Sequence, residues 1–250
     1  MTDFYDRLAP RYHLIYPDWD AGIAAQADAL NAVVRSQWGN GISSVLDVSC
    51  GIGTQAIGLA RLGFSMTGSD LSAVAIERAK LETAARGLTV LYSVCDMREA
   101  ALHHDSNHDL AISCDNSITH LLTEADILRA LEQMHACLRP GGGCLITVRD
   151  YDKEERGTGL VKPYGTREAD GKRVLVFQVW DFDGDRYDVS MYFVEDDRAG
   201  SVQTHVMRSR YYAIGTNRLM DLMHQAGFAD VARLDKKFYQ PVLVGTKPVR

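Results

Sequence analysis

Cysteine is sparse and without pattern in this 250-residue sequence. Its five cysteines form no C-x-x-C pair and lie mostly in apolar segments: Cys50, Cys95, Cys114, Cys137 and Cys144. An odd number at irregular spacing predicts neither a disulfide framework nor a zinc site. The histidine- and aspartate-rich segment 103–109 precedes an apolar strand and indicates a solvated loop. We therefore expect no metal centre.

The sequence also lacks a positive charge surplus and a long apolar run. Its net charge is −6, so no overall field attracts nucleic acid. No stretch reaches the ~18 apolar residues that a membrane-spanning helix needs, and the N-terminus has no basic or apolar leader. These features predict a cytoplasmic protein that acts on a small molecule, with neither a nucleic acid nor a membrane as partner. The oligomeric state stays open.

Strand-like and helical segments alternate through the first 150 residues, and turns such as Arg139–Gly143 separate them. Such alternation predicts an α/β fold with a doubly wound, mostly parallel sheet. The predicted strands are 44–48, 65–68, 88–94, 110–114 and 144–149, and the predicted helices are 21–36, 55–62, 71–85 and 123–138.

The pattern changes after residue 150. Residues 153–171 are polar and rich in turn formers, and Asp183-Gly184 then joins two alternating segments in the manner of a hairpin. We predict a single domain over 1–250, with an antiparallel β insertion at 152–212 that caps the site. The remaining predicted elements are strands 174–182, 187–194 and 202–213, a helix 217–226, and closing strands near 230–234 and 242–246.

The most informative feature is an apolar strand that leads into a glycine-rich turn. Residues 45–54 run from this strand through Gly51 and Gly53 into a helix, and the next strand ends at Asp70. Glycines let a ligand approach the backbone, and a carboxylate at the second strand end can accept both ribose hydroxyls of a cofactor. The pattern predicts a nucleoside-bearing cofactor across the ends of two parallel strands.

Two cofactor classes fit this turn. Residues 51–56 match the dinucleotide fingerprint G-x-G-x-x-G/A, which is typical of NAD(P)-dependent oxidoreductases. Asp47 lies four residues before Gly51, where a carboxylate would repel a pyrophosphate but tolerate a sulfonium with an α-amino group. Residues 47–53 resemble motif I of the class I S-adenosylmethionine-dependent methyltransferases, D-x-G-x-G-x-G, with Ser49 at a glycine position.

That resemblance implies a Rossmann-like methyltransferase fold with a seven-stranded sheet, S-adenosyl-L-methionine as the cofactor and S-adenosyl-L-homocysteine as its product. It implies that Asp96 accepts a hydrogen bond from the adenine amino group, that Met97 packs on the ring, and that Gln26 replaces an arginine that takes the cofactor's carboxylate. N-terminal aromatic residues, among them Tyr5, Tyr12 and Tyr16, would close over the cofactor; an apolar helix seam is the alternative. The expected cofactor-binding residues are Tyr5, Tyr12, Gln26, Asp47, Ser49, Gly51, Gly53, Asp70, Leu71, Asp96, Met97, Cys114 and His120.

Two later segments resemble the glycine and sarcosine N-methyltransferases. Residues 115–121 are similar to a G-N-S-x-x-H-L pattern, with Asp115 in place of its glycine, and residues 149–152 are similar to R-N-Y-D. In that group the arginine grips a substrate carboxylate, which a guanidinium does well. The expected acceptor-site residues are Asn116, His120, Arg149, Tyr164, Tyr211 and Tyr212.

By this resemblance, Arg149 holds a carboxylate of the acceptor, Asn116 helps to orient it, and His120 assists removal of a proton from an ammonium. Ion pairing of Arg149 with Asp150 or Asp152 is the structural alternative. The implied function is N-methylation of an amino acid or small amine. Methylation of oxygen, sulfur or carbon in a small metabolite, a dinucleotide oxidoreductase, and a cofactor-binding protein without turnover remain as alternatives.

Overall fold

The computed structural model describes residues 2–249 of the chain. The strands are β1 (Ser44–Asp47), β2 (Ser65–Asp70), β3 (Leu91–Val94), β4 (His108–Ser113), β5 (Leu138–Thr147), β6 (Leu160–Ala169), β7 (Lys172–Asp183), β8 (Arg186–Asp196), β9 (Val202–Tyr212), β10 (Ala229–Leu234) and β11 (Val242–Thr246). The α-helices are α1 (Thr2–Leu8), α2 (Trp19–Trp38), α3 (Thr54–Arg61), α4 (Ala73–Ala85), α5 (Ala100–His103), α6 (Glu124–Cys137) and α7 (Thr216–Gln225).

Seven strands form one sheet in the order β10-β11-β5-β4-β1-β2-β3. Strand β11 runs antiparallel to both of its neighbours, and the other pairs are parallel. This confirms the predicted doubly wound sheet. The chain leaves β1 toward β2 on one side and returns to place β4 on the other, so the strand order reverses between β1 and β4. In such sheets a crevice for ligands opens at the carboxyl ends of the strands at this point.

Successive residues of the central strands face opposite sides of the sheet, which explains their continuous apolar character. Leu46 and Ala111 pack on one side in a core that includes residues of α6 and α7. Their neighbours Val45 and Leu110 pack on the other side against α2 and α3. Both faces are covered, and binding sites are therefore expected at the strand ends.

A second, antiparallel sheet follows β5, with strand order β6-β7-β8-β9. It confirms the predicted antiparallel insertion, and residues Asp183 and Arg186 pair at the β7–β8 hairpin. Within the polar segment 153–171, for which no strand was predicted, residues 160–169 form β6 and pair with β7. Strand β6 lies at an edge, carries Pro163 and has a register shift before Gly165. Edge strands tolerate polar residues and proline, which obscures their sequence signal.

The N-terminal segment packs against this second sheet. Phe4 and Leu8 of α1 and Leu14 join a buried cluster with Val176 and Met191 from the sheet. Tyr5 of the same helix contacts His120 beyond β4, so α1 joins the second sheet to the central domain. Within residues 2–249, no helix is both long and apolar enough to cross a membrane.

Candidate active site

Two cavities meet at the carboxyl ends of the central strands. The first cavity lies over the turn after β1 and the ends of β2, β3 and β4. The second has a volume of about 700 Å³ and is bounded by the N-terminal segment, the ends of β4 and β5, and the second sheet. Tyr5, Tyr12 and Asp115 line both. These three residues mark the boundary between the cavities.

Most of the residues predicted to bind a cofactor line the first cavity. Gly53 and Asp47 do not, and Gln26 lines the second cavity instead. Those that line the first cavity are Tyr5, Tyr12, Ser49, Gly51, Asp70, Leu71, Asp96, Met97, Cys114 and His120.

Asp70 closes the glycine-rich turn from the neighbouring strand. Its Oδ2 accepts a hydrogen bond from the Gly51 backbone N–H, and its Oδ1 accepts one from the Ser72 N–H, both at 2.9 Å. Each carboxylate oxygen therefore keeps acceptor capacity on the cavity side. Gly51 has φ of +52° and open space where a Cβ would lie. Asp70 and Gly51 together therefore suit a ligand that brings two hydroxyl donors close to the backbone.

Asp47 and Gly53 shape the turn from beneath. Asp47 Oδ1 accepts a hydrogen bond from the Ser49 N–H at 3.1 Å, whereas its Oδ2 is buried without a hydrogen-bond partner among the described residues. Burial raises the pKa of this carboxyl to about 7. Gly53, at φ +95°, begins α3 where a Cβ would come within 2.8 Å of the Tyr92 hydroxyl. Both residues support the turn rather than line the cavity.

Asp96 and Gln26 already have protein partners. Burial raises the pKa of Asp96, but hydrogen bonds from Arg98 outweigh burial and leave the pKa below its ordinary value. The shortest of these bonds joins Arg98 Nη2 to Asp96 Oδ2 at 2.6 Å. Gln26 accepts a hydrogen bond from Gln55, which lines the first cavity, at 2.7 Å. Roles for Asp96 at adenine and Gln26 at the cofactor's carboxylate stay predictions.

His120 lies at the cavity boundary beside two aromatic side chains. Its Nε2 is 2.5 Å from the Tyr5 hydroxyl, and its ring centroid is 4.0 Å from that of Tyr211. Burial, and then the charge of Arg149, lower the pKa of His120 to about 3. The imidazole is therefore neutral near pH 7. A neutral imidazole here can hold the Tyr5 hydroxyl and is a weak base.

Arg149 faces the second cavity from the end of β5. Its guanidinium approaches the hydroxyls of Tyr187 and Tyr164 at 3.4 and 3.5 Å, and its Cζ lies 4.8 Å from the Trp180 ring centroid. No carboxylate comes within 4.0 Å of it in the part of the chain that the structure describes. Asp150 instead pairs with Arg233 at 2.5 Å. The ion-pair alternative for Arg149 is therefore absent here.

Of the other predicted acceptor-site residues, three line the second cavity and Tyr212 does not. Asn116 binds the Arg149 backbone N–H through Oδ1 at 3.1 Å, and Tyr164 and Tyr211 line the second cavity with it. Tyr212 lies outside both cavities, because successive strand residues face opposite sides. Its hydroxyl donates to Glu124 at 3.4 Å.

Two cavity residues had no predicted role. Asp115 accepts a hydrogen bond from Tyr239 at 2.6 Å and others from Tyr12 and Tyr16. The sequence marks Asp115 as a departure from a glycine pattern, whereas Tyr239 lies between two closing strands with no local signal.

Residues 45–142 match the family model described as "Methyltransferase domain". The glycine/sarcosine N-methyltransferase of Parasynechococcus marenigrum (strain WH8102) is 30% identical over 161 residues. The core of this chain, residues 45–142, is a methyltransferase domain that resembles those of the class I S-adenosylmethionine-dependent enzymes. The match covers 64% of this chain, and the chain spans about half (53%) of the length of that relative.

Two solved structures share the fold of this methyltransferase domain and its second sheet. DesVI of Streptomyces venezuelae superposes with a TM-score of 0.83 at 22% identity, over 96% of this chain and 98% of that one. The sugar N-methyltransferase KedS8 of Streptoalloteichus sp. ATCC 53650 gives 0.79 at 21% identity, over 95% and 93%. Similarity at this level shows the fold alone.

S-adenosylmethionine is the cofactor of this methyltransferase, and the residues that line the first cavity offer groups suited to parts of it. The free acceptor capacity of Asp70 suits ribose hydroxyls, and the open space at Gly51 leaves room for the ligand. The aromatic residues Tyr5 and Tyr12 lie where the two cavities join, and aromatic faces attract cations such as a sulfonium. When bound, the cofactor supplies an electrophilic methyl group to an atom that offers a lone pair.

Proposed function

We propose that this methyltransferase methylates the nitrogen of a small-molecule amine that carries an anionic group. The observation that supports this is Arg149, whose guanidinium lines the second cavity without a carboxylate partner among the described residues. An unpaired charge in a protein interior is costly unless a ligand pairs with it. A guanidinium presents parallel N–H donors that match a carboxylate or a phosphate.

The nitrogen acceptor is supported by the relatives, since those named glycine/sarcosine N-methyltransferase and sugar N-methyltransferase both act on nitrogen by their names. The volume of the second cavity, about 700 Å³, lies within the ~300–1,000 Å³ range of pockets for drug-sized ligands. The proposed acceptor is therefore larger than glycine. An amino sugar with an anionic substituent is a second candidate, because KedS8 resembles the chain over both sheets.

A methyl-transfer screen tests the proposed function. Purified protein is incubated with methyl-labelled S-adenosylmethionine and a panel of glycine, sarcosine, longer amino carboxylates and amino sugars with and without phosphate. Each compound is paired with an analogue in which a hydroxyl or hydrogen replaces the amine. We expect label in anionic amines larger than glycine and none in the amine-free analogues. Transfer to hydroxyl analogues alone, or to no compound with an amine, would contradict the proposal.

A further inference from the structure

Asp115 places a carboxylate at the boundary of the two cavities. It lines both, and it lies at φ +56°, followed by Asn116 at φ +68°. Left-handed backbone is uncommon for residues other than glycine, although aspartate and asparagine adopt it more readily than most, and it is often found at functional sites. The pattern that this segment resembles has glycine here. The side chain is therefore present where a glycine would suit the backbone better.

Three phenol hydroxyls hold this carboxylate. Tyr12 and Tyr16 donate to Oδ2 at 3.0 and 3.3 Å, and Tyr239 donates to Oδ1 at 2.6 Å. Burial raises the pKa of the Tyr12 and Tyr16 phenols, so both are neutral and act as donors. No cationic side chain lies within 4.0 Å of Asp115 among residues 2–249. A carboxylate has about four acceptor positions, so Oδ1 keeps one for a further donor.

The partners of Asp115 indicate which ligand it serves. Tyr16 and Tyr239 line the second cavity and not the first, and only Tyr12 lines both. Tyr16 is itself bound by the amide of Gln26, another residue of the second cavity, at 3.3 Å. The carboxylate of Asp115 is thus oriented chiefly by side chains that line the second cavity. This arrangement favours a cation in the second cavity over the α-ammonium of the cofactor.

We propose that Asp115 binds the amino group of the methyl acceptor in its cationic form, while Arg149 binds the acceptor's anionic group. This inference rests on the proposed function and narrows its substrate class to zwitterions. The amine of the acceptor would face the first cavity, and its anionic group would lie near the end of β5. Residues of the second sheet and of the N-terminal segment line the cavity that Asp115 and Arg149 share. The ammonium then loses one proton to solvent water, which frees the nitrogen lone pair at the cavity boundary to accept the methyl group.

Matched ligands separate the contributions of the two charges. Calorimetry measures binding of ω-amino carboxylates, from glycine to 6-aminohexanoate, to the protein saturated with S-adenosylhomocysteine. Each is compared with the alkanoate of the same length, from acetate to hexanoate, which lacks only the amine. Wild-type protein should bind the best-fitting amino carboxylate about tenfold or more tightly than its alkanoate, the scale of a charge-assisted hydrogen bond.

The isosteric variant Asp115→Asn should lose this amine preference and keep its alkanoate affinity, because Arg149 is unchanged. Asp188→Asn, which alters an exposed carboxylate on β8, is the matched control and should keep the preference. Affinity for S-adenosylhomocysteine should be equal in all three proteins. A weaker affinity in Asp115→Asn would place the carboxylate at the cofactor's α-ammonium and overturn the inference.

The two proposals can fail separately. Equal binding of amino carboxylates and alkanoates by wild-type protein, including no binding of either, would overturn the role of Asp115. An amine preference without any methyl transfer to amines would overturn the proposed function and leave Asp115 as a cation site. Methyl transfer to amines that is undiminished in Asp115→Asn would overturn the inference and leave the function.

Discussion

The hydroxyl of Tyr5 lies 2.5 Å from Nε2 of His120, although 115 residues separate them in the chain. Tyr5 belongs to α1, which packs on the second sheet, and His120 follows the central strand β4. The contact therefore ties the N-terminal helix to the central domain at the point where both cavities meet. Because the pKa of His120 is lowered to about 3, the neutral imidazole can keep this hydrogen bond throughout the physiological pH range.

Tyr5→Phe removes this hydroxyl and keeps the ring. Since a buried hydrogen bond of this kind contributes about 1–2 kcal/mol, we expect kcat with the best acceptor to fall by about five- to thirtyfold. Affinity for S-adenosylhomocysteine, measured by calorimetry, should change little because the ring still lines the first cavity. Tyr192→Phe on β8, outside both cavities, is the control. Equal kcat in Tyr5→Phe and Tyr192→Phe would show that the hydroxyl has no part in transfer.

Asp70→Ala should weaken S-adenosylhomocysteine binding by about 1–3 kcal/mol, because it removes the proposed acceptor of the ribose hydroxyls and the partner of the Gly51 N–H. Calorimetry measures the effect directly. Asp3→Ala, an exposed carboxylate on α1, should bind with wild-type affinity. Unchanged affinity in Asp70→Ala, or tight NAD binding by wild-type protein, would contradict the assignment of the first cavity.

The free energy of unfolding of the cofactor-free protein should depend on pH through the ionisation of Asp47. Its pKa is about 7 in the folded protein and has the ordinary value of 3.8 in the unfolded chain. Between these pH values the folded protein therefore keeps the carboxyl protonated, whereas the unfolded chain does not. The free energy of unfolding therefore falls as the pH rises from about 4 to about 7, by roughly 2–4 kcal/mol. Asp47→Asn cannot ionise and should lack this fall.

Urea unfolding of wild-type protein, Asp47→Asn and Asp188→Asn at about pH 5 and pH 8 measures the difference. We expect the stability of Asp47→Asn relative to wild type to increase at the higher pH, whereas Asp188→Asn should follow wild type. A parallel pH dependence in wild type and Asp47→Asn would mean that the buried carboxyl ionises at its ordinary pKa.

Arg149→Ala should lower kcat/KM for the acceptor by about a hundredfold or more, since it removes a charge-assisted, two-point contact. Arg149→Lys should not restore activity, because an ammonium lacks the planar fork. Affinity for S-adenosylhomocysteine should persist in both. Arg156→Ala is the matched control, because Arg156 also lies over an aromatic ring, that of Phe182, but outside both cavities.

Circular dichroism spectra of the two Arg149 variants show whether they still fold. This check is needed because Arg149 also packs on Trp180. Rescue of kcat/KM by lysine, or full activity on an acceptor without any anionic group, would contradict the proposed contact. Unfolding of both Arg149 variants would identify the guanidinium as a structural residue.

Strands β6–β9 should exchange backbone hydrogens more slowly when S-adenosylhomocysteine and an acceptor are bound than in the free protein. The reason is that Tyr164, Gln178 and Met191 project from three of these strands into the second cavity, where a ligand restrains them. Hydrogen-exchange mass spectrometry measures this, with α7 as an internal reference. Equal exchange with and without ligands would mean that the second sheet does not respond to the acceptor.

The central fold was predictable because its signals are local. The alternation of apolar strands and helices predicts the parallel sheet. Ser72 caps α4, because its Oγ accepts a hydrogen bond from the Ala75 N–H, as is typical of serine before a helix. The glycine-rich turn and Asp70 come together because adjacent parallel strands end at one edge. Strand β6 escaped prediction because an edge strand with proline resembles a loop.

The contacts around the second cavity were less predictable, because they join residues that are distant in the sequence. Asp115 joins Tyr12, Tyr16 and Tyr239, which are separated from it by 103, 99 and 124 positions. Nothing in the sequence near Tyr239 indicates that its hydroxyl reaches a carboxylate, and the residue is 60% exposed. Arg149 could be named from the resemblance, but only tertiary structure reveals that its guanidinium has no acidic partner among the described residues.

The second sheet contributes one residue from each of its four strands to the second cavity, namely Tyr164, Gln178, Met191 and Tyr211. Within residues 2–249, the same strands add nothing to the first cavity. Under the proposed function, substitutions at Tyr164, Gln178 and Met191 should change which acceptors are accommodated without altering a side chain of the first cavity, whereas Tyr211 also packs on His120. A small combinatorial library at the first three positions is therefore a direct way to look for new methyl acceptors.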